Sequence, residues 1–309
     1  AWDMLFYAIP LHPVDQILTC KNEYASNYMA FLQRQKATGA EIVVLDNDEF
    51  GAVCPDSLRR RLTSRTKVVA INHIPTNGGV IQPAEELGAI LRTHPAFYLL
   101  DACQSVGQLP LDVKKIGCDA LTATARKYLR GPRGIGFLYL ASEHIKQLEP
   151  PFIDLHAATW TRPDVYAFRD DARRFETYEV FYAGKLGLGV AARYHTAIDQ
   201  EWAFRRLSDL AESARLGLNK LSGVQVHDLG KSRGGIVTFT VDGVSPEKVR
   251  ESLRDRGINI WTSTVRSARL DMEARSLESV ARASFHYYNT ESEVETFLSA
   301  VHKIARRNP

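Results

Sequence analysis

Short apolar and β-branched runs alternate with helical patterns over the first two-thirds of the chain, and this alternation restricts the fold more than any other feature. Residues 16–20, 41–45, 66–72, 97–100, 120–124 and 136–140 have the length and composition of strands. A helix is expected over 26–37, and another opens at Pro83, with Leu87, Ile90 and Leu91 on one face. Proline suits a first helical turn, where its missing N–H is not needed. The pattern predicts an α/β fold, a mostly parallel sheet wrapped by helices.

Beyond it the pattern changes. Residues 150–171 are irregular, with Pro150, Pro151 and Pro163. Helices are expected over 179–200 and 201–221, the second with Phe204, Leu207, Leu210 and Leu218 on one face. Strand patterns at 235–241, 258–260 and 280–285 alternate with helices at 246–256 and 291–306, which predicts a smaller α+β domain. The expected division is a large domain over 1–200 and a C-terminal domain over 201–309. The chain starts without Met, and Ala1 to Ile9 reads as the middle of a helix with no capping residue before it. An N-terminal segment of the large domain is therefore expected to be missing from this sequence.

The 309 residues are 45% hydrophobic and 24% charged, ordinary values for a soluble two-domain protein. The net charge of +3 is spread out, and Arg59-Arg60-Arg61 and Arg306-Arg307 read as solvated helix faces, so no nucleic-acid partner is expected. No apolar run approaches the ~20 residues of a membrane helix, and no signal peptide is recognisable. Cys20, Cys54, Cys103 and Cys118 lie far apart without metal-type spacing, and the nine histidines show no ligand spacing either. Reduced thiols, a cytoplasmic location and no metal are the expectation.

Chemistry enters at two strand ends. Asp101 follows the apolar run 97–100, and Lys127 follows the strand that ends near Thr124, 26 residues on (127 − 101). In a parallel sheet both fall on the rim where ligands bind. Asn77 lies in a turn-rich loop after another strand, and Gln104 lies three residues past Asp101. Thr124 and Arg126 flank the lysine with a hydroxyl and a guanidinium, a natural phosphate pair. An amine to hold an aldehyde as a Schiff base, a carboxylate for a pyridinium nitrogen and phosphate donors are what pyridoxal 5′-phosphate (PLP) requires. Other motifs fall away. The glycine-rich 131–136 precedes a strand, whereas a dinucleotide fingerprint follows one, and Gly184-Lys185 is followed by leucine, so no P-loop is present. His286, beside Tyr287 and Tyr288, reads more readily as a packed aromatic cluster than as a site residue. Trp160, Phe168, Tyr182 and Trp261 read as pocket lining or as core.

With these residues assembled, the chain resembles the class V aminotransferase superfamily of fold-type I PLP enzymes, which includes cysteine desulfurases, isopenicillin N epimerase-like proteins and C–S lyases. The resemblance covers nearly the whole chain and is strongest over 70–140 and 282–291. It implies that Lys127 is the Schiff-base lysine and Asp101 the pyridinium partner, that Gln104 and Asn77 lie by the ring, and that Thr124 and Arg126 hold the phosphate. It also implies that Tyr24 stacks on the ring, that Arg282 grips the substrate α-carboxylate, and that the protein is a homodimer. Two departures carry information. Desulfurases have a nucleophilic cysteine on the loop before the arginine strand, whereas 263–272 has none, and 175–179 reads Phe-Glu-Thr-Tyr-Glu in place of the family's Gly-Thr phosphate contribution. The resemblance then implies a lyase that removes a thiolate from the β-carbon of a cysteine S-conjugate. Transamination, epimerisation and oxidative or decarboxylating deamination in secondary metabolism remain open, as does an inactive relative serving as a binding subunit.

Overall fold

A computed structural model describes residues 1–306; Arg307 of the C-terminal basic pair and the end of the expected second domain lie outside the described residues. The large sheet contains β1 (Gln16–Thr19), β2 (Glu41–Val44), β3 (Thr66–Asn72), β4 (Phe97–Asp101), β5 (Ala120–Thr124) and β6 (Gly136–Leu140) in the order β2-β1-β3-β4-β5-β6. The first five strands run parallel and β6 closes the edge antiparallel to β5. An exposed hairpin, β7 (Ala158–Arg162) and β8 (Val165–Phe168), follows. The smaller sheet is antiparallel, with β9 (Val224–Val226), β10 (Ile236–Val241), β11 (Trp261–Thr264) and β12 (Ser279–Ser284) in the order β11-β12-β10-β9.

The helices are α1 (Trp2–Phe6), α2 (Ala25–Thr38), α3 (Pro55–Arg61), α4 (Ala84–Leu91), α5 (Val113–Ile116), α6 (Ser142–Ile145), α7 (Tyr182–Thr196), α8 (Gln200–Asn219), α9 (Pro246–Arg254), α10 (Arg269–Ala274) and α11 (Glu291–Ala305). The near-continuous apolar composition of β1, β3 and β4 follows from burial on both faces. Successive side chains point to opposite sides. Val69, Ile71, Tyr98 and Leu100 accordingly pack with Leu87 and Leu91 of α4, while Val68 and Leu99 pack with Phe6 of α1 and Phe31 of α2. The mixed, mostly parallel sheet expected from the alternation is the observed one. Leu210 and Leu218 of α8 join Phe239, Ala281, Phe297 and Val301 in a separate core against the smaller sheet.

Two segments differ from expectation. Residues 258–260 form no strand: after the turn at Gly257 (φ +76), Ile258 and Ile260 pack into the C-terminal core, and β11 begins one residue later at Trp261. A short apolar run reads alike as strand or packed turn, so periodicity does not separate the two. The irregular stretch contains the β7–β8 ribbon, in which Trp160 faces Tyr166; its outward side chains lack the half-buried alternation that marks a strand. No helix among the described residues is long and apolar enough to cross a membrane.

Candidate active site

The register of the parallel strands sets Asn72, Asp101 and Thr122 side by side, so the segments that follow β3, β4 and β5 leave the sheet on one rim. Lys127 lies on the loop between β5 and β6. Arg130 N–H donates to the Lys127 carbonyl (2.8 Å), Gly131 N–H to Ala125 O (2.7 Å) and Ala125 N–H to Ile135 O (3.0 Å), which closes the loop on itself. Gly107 lets this loop approach the segment after Asp101. Its φ is +91, and a Cβ there would lie 2.3 Å from the Tyr128 carbonyl carbon.

Above the rim is a cavity of about 690 Å³ whose wall includes Tyr24, Gln104, Arg126, Lys127 and Arg282, five of the residues singled out in the sequence. Thr76, Trp261, Ser263, Ser284 and His286 join them, so both sheets contribute. The Lys127 amine is 6.0 Å from the centre of the Tyr24 ring. Burial lowers its pKa, against the opposing pull of the nearby Cys103 and Asp101. It is therefore more easily deprotonated than an ordinary lysine.

Asp101, Asn77 and Thr124 are not on the cavity wall. Asp101 is buried at the end of β4, where Oδ2 accepts from Asn27 Nδ2 (2.8 Å) and Oδ1 from Cys103 N–H (2.9 Å). The same Asn27 amide donates to Glu23 Oε1 (2.9 Å), which also accepts from Tyr24 N–H (2.9 Å). Burial, and then the charge of Asp101, push the Glu23 carboxyl up to about 8. One carboxyl is thus held neutral beside another through a shared asparagine. Glu23 and Asn27, four residues apart across the start of α2, were not singled out in the sequence.

Arg282 projects from β12, where it is opposite Thr238 of β10 and Trp261 of β11. Its Nη1 donates to Thr76 O (3.0 Å) and Thr76 Oγ1 (3.1 Å), while its Nε is buried without a partner. Thr76 also accepts from Gln104 Nε2 (3.5 Å) and was not singled out in the sequence. The adjacent Asn77 points elsewhere: its amide donates to Thr264 O (3.3 Å) and Met272 Sδ (2.6 Å), and its Oδ1 accepts from Ser267 Oγ (2.9 Å). Asn77 therefore ties the loop after β3 to the smaller sheet.

No cysteine lines the cavity. Cys103 is nearest by sequence to Asp101, but burial and the Asp101 charge push its thiol up to about 12, the opposite of a nucleophile. The 263–272 segment contributes Ser263 and Ser267 to the wall instead. His286 is stacked on Tyr128 (5.4 Å) and Tyr288 (4.6 Å), with Nε2 3.0 Å from the Tyr128 carbonyl and Nδ1 accepting from Tyr287 N–H (2.9 Å). Burial lowers its pKa to about 4, so it is a neutral packing residue that also faces the cavity. Among the four aromatics left between pocket and core, Trp261 is on the wall, Trp160 and Tyr182 are exposed, and Phe168 lies under the Arg174 guanidinium (4.8 Å). Among the described residues no group of three or more His, Cys, Asp or Glu side chains is arranged to hold a metal.

The aminotransferase class-V family model matches residues 3–297. The protein named "Probable cysteine desulfurase" of Halalkalibacterium halodurans is 30% identical over 297 residues, 94% of this chain and 70% of that relative. "Probable cysteine desulfurase 2" of Mycobacterium leprae is 31% identical over 293 residues, 93% of this chain and 68% of that one. Among solved structures, a cysteine desulfurase from Thermococcus onnurineus superposes with a TM-score of 0.89 at 29% identity, covering 95% of this chain and 73% of its own. A cystine C–S lyase structure shares the fold, with a TM-score of 0.85 at 23% identity over 97% of this chain and 78% of that one. A family match that runs almost from end to end, on a sheet whose rim carries a lysine loop, makes this chain a member of the class-V aminotransferase family of PLP-dependent enzymes.

Proposed function

We propose that this protein cleaves the C–S bond of a cysteine S-conjugate by β-elimination. The observation that carries this reading is a lysine-bearing cavity with no thiol on its wall. Relatives named cysteine desulfurases favour cysteine sulfur as the chemistry, and without a cavity thiol there is no acceptor for a persulfide.

The residues present fit PLP. Asp101 receives one protein donor on each oxygen, which leaves lone pairs free for a cationic ring nitrogen. On the cavity wall Tyr24 offers a ring face, Gln104 an amide, Arg126 a phosphate donor and Lys127 an amine whose pKa burial lowers; the Thr124 hydroxyl, off the wall, is the second phosphate donor of this reading. When bound, PLP supplies an aldehyde and an electron-accepting ring that acidifies the substrate α-carbon. Arg282 lines the cavity and receives the α-carboxylate through the guanidinium N–H groups that Thr76 does not hold. Lys127 Nζ takes the α-proton, and the burial that lowers its pKa favours the free base relative to an ordinary lysine. Loss of that proton sets up loss of a thiolate from the β-carbon. Ser263 and Ser267, where a nucleophilic thiol is absent, leave the departing thiolate free to be released as thiol.

The reading extends to assembly and location. α7 presents Tyr182, Leu186, Val190 and Tyr194 at four-residue spacing, Leu186 74% and Val190 58% exposed, an apolar stripe suited to a second copy of the chain in a homodimer. Four free cysteines suit a reducing cytoplasm, and the separate cores of the two sheets support domains over 1–200 and 201–309.

The test is to incubate the PLP-loaded protein with a cysteine S-conjugate and to quantify thiol, pyruvate and ammonia. Elimination with water releases them in equal amounts. Amino-group transfer to a keto acid, or racemised substrate without free thiol, would overturn the assignment.

A further inference from the structure

We propose that the cavity contains a second anion site, formed by Arg133 at its mouth, for a substrate that carries a carboxylate or sulfonate besides its α-carboxylate. The inference deepens the elimination reading and rests on it for the identity of the substrate; it names the acidic class of conjugate that the cavity accepts.

Charge is the starting point. Arg126, Arg130, Arg133 and Arg282 all line the cavity, and no aspartate or glutamate does. None of the four is in a salt bridge among the described residues. A phosphate ester brings a charge of about −1.5 to −2, and an α-carboxylate brings one more. Together they balance about three of the guanidiniums and leave one over.

Geometry selects which one. Arg282 is held by Thr76 at the inner wall, and Arg126 adjoins Lys127 in the chain. Arg130 is committed to aromatic rings, 4.9 Å from the centre of Tyr194 and 5.0 Å from that of Tyr287, and it donates to the Tyr287 hydroxyl. Arg133 is exposed, as Arg126 and Arg130 are, and it lines the cavity without the aromatic partners that occupy Arg130. The backbone that carries it is anchored. The 131–134 turn is closed by the Gly131–Ala125 and Ala125–Ile135 hydrogen bonds, and Gly134 completes it at φ +77. Lys127 and Arg133 are therefore carried by one short loop with a hydrogen-bonded backbone, six residues apart (133 − 127) on the same cavity wall. The rest of that wall, Trp261, Thr262, Ser263 and Ser267, offers hydroxyl donors and an apolar surface but no competing charge.

The probes are thiodipropionate, a thioether with two carboxylates and no amine to react, and its monoamide, which has the same shape and one charge fewer. Their dissociation constants are measured by calorimetry on the PLP-loaded protein and on its Arg133→Gln and Arg133→Lys variants. The proposal expects wild type to prefer the diacid by about fivefold, the contribution of one exposed ion pair with good geometry. The preference should vanish in Arg133→Gln and return in part in Arg133→Lys. Equal affinities in wild type overturn the proposal, as does a preference that Arg133→Gln leaves in place, the result expected if Arg133 only adds to a general positive field. Thiol release from S-(2-carboxyethyl)cysteine is followed in parallel. No thiol with the diacid preference intact sinks the elimination reading and leaves the second anion site standing; thiol release without the preference does the reverse.

Discussion

Two arginines, the buried Arg215 and the half-buried Arg282, are treated in opposite ways. Arg215 of α8, 2% exposed, is paired through Nε (2.7 Å) with Asp228, whose side chain is fully buried, and its Nη2 donates to Gly234 O (2.7 Å) and Ile236 O (2.8 Å). Arg282 of β12 has a backbone carbonyl and a threonine hydroxyl for one Nη, nothing for Nε, and no carboxylate. The same side chain is a structural tie in the first case and lines a cavity without an anionic partner in the second. A guanidinium partly withdrawn from water without its anion is costly to the free protein, and that cost is recovered when an anionic ligand arrives.

The largest expected effect falls on the tie. Arg215→Met leaves the Asp228 charge buried without compensation and should cost about 3–5 kcal/mol in equilibrium denaturation. Arg282→Met should separate the two classes: stability within about 1 kcal/mol of wild type, but binding of a carboxylate substrate analogue weakened about tenfold to a hundredfold, the size of a lost charge-assisted contact. Comparable stability losses for both variants would erase the distinction.

A pH-dependent effect concerns the buried carboxyl pair. Glu23 faces Asp101 and the Cys20 thiol, with Asn27, Thr19 and the Tyr24 N–H as donors. Its pKa is about 8 in the folded chain against an ordinary 4.5, so between these values the folded state binds the extra proton. Below 4.5 both states are protonated; through the window stability therefore falls as pH rises, and above about 8 it is level again. Denaturation midpoints of Glu23→Gln across this range should show a flatter decline than wild type. An unchanged slope would mean that Glu23 titrates normally.

The legible part of this molecule is what local pattern encodes. The apolar runs that became β3, β4 and β5 point to a parallel sheet, and Asp101 and Lys127 were readable because Asp101 ends one such run and Lys127 lies three residues past another. Glu23 was not, since a single acidic residue in a loop looks the same whether it faces water or another carboxyl. Thr76 and Asn77 illustrate a second limit. The loop was recognised, but which of two neighbours faces the cavity depends on packing against Thr264 and Met272, almost two hundred residues away. Arg133 illustrates a third: its glycine-rich loop was set aside as a nucleotide motif, and only the fold shows that it shares a cavity with Lys127.

The account depends above all on Lys127 being the residue that links the cofactor. Adding PLP, reducing with borohydride and locating the modified peptide by mass spectrometry addresses this directly. The account predicts a single stable adduct on Lys127, lost together with the visible absorbance of the linked cofactor in Lys127→Ala. Modification of another lysine, or a variant that keeps the absorbance, would contradict it.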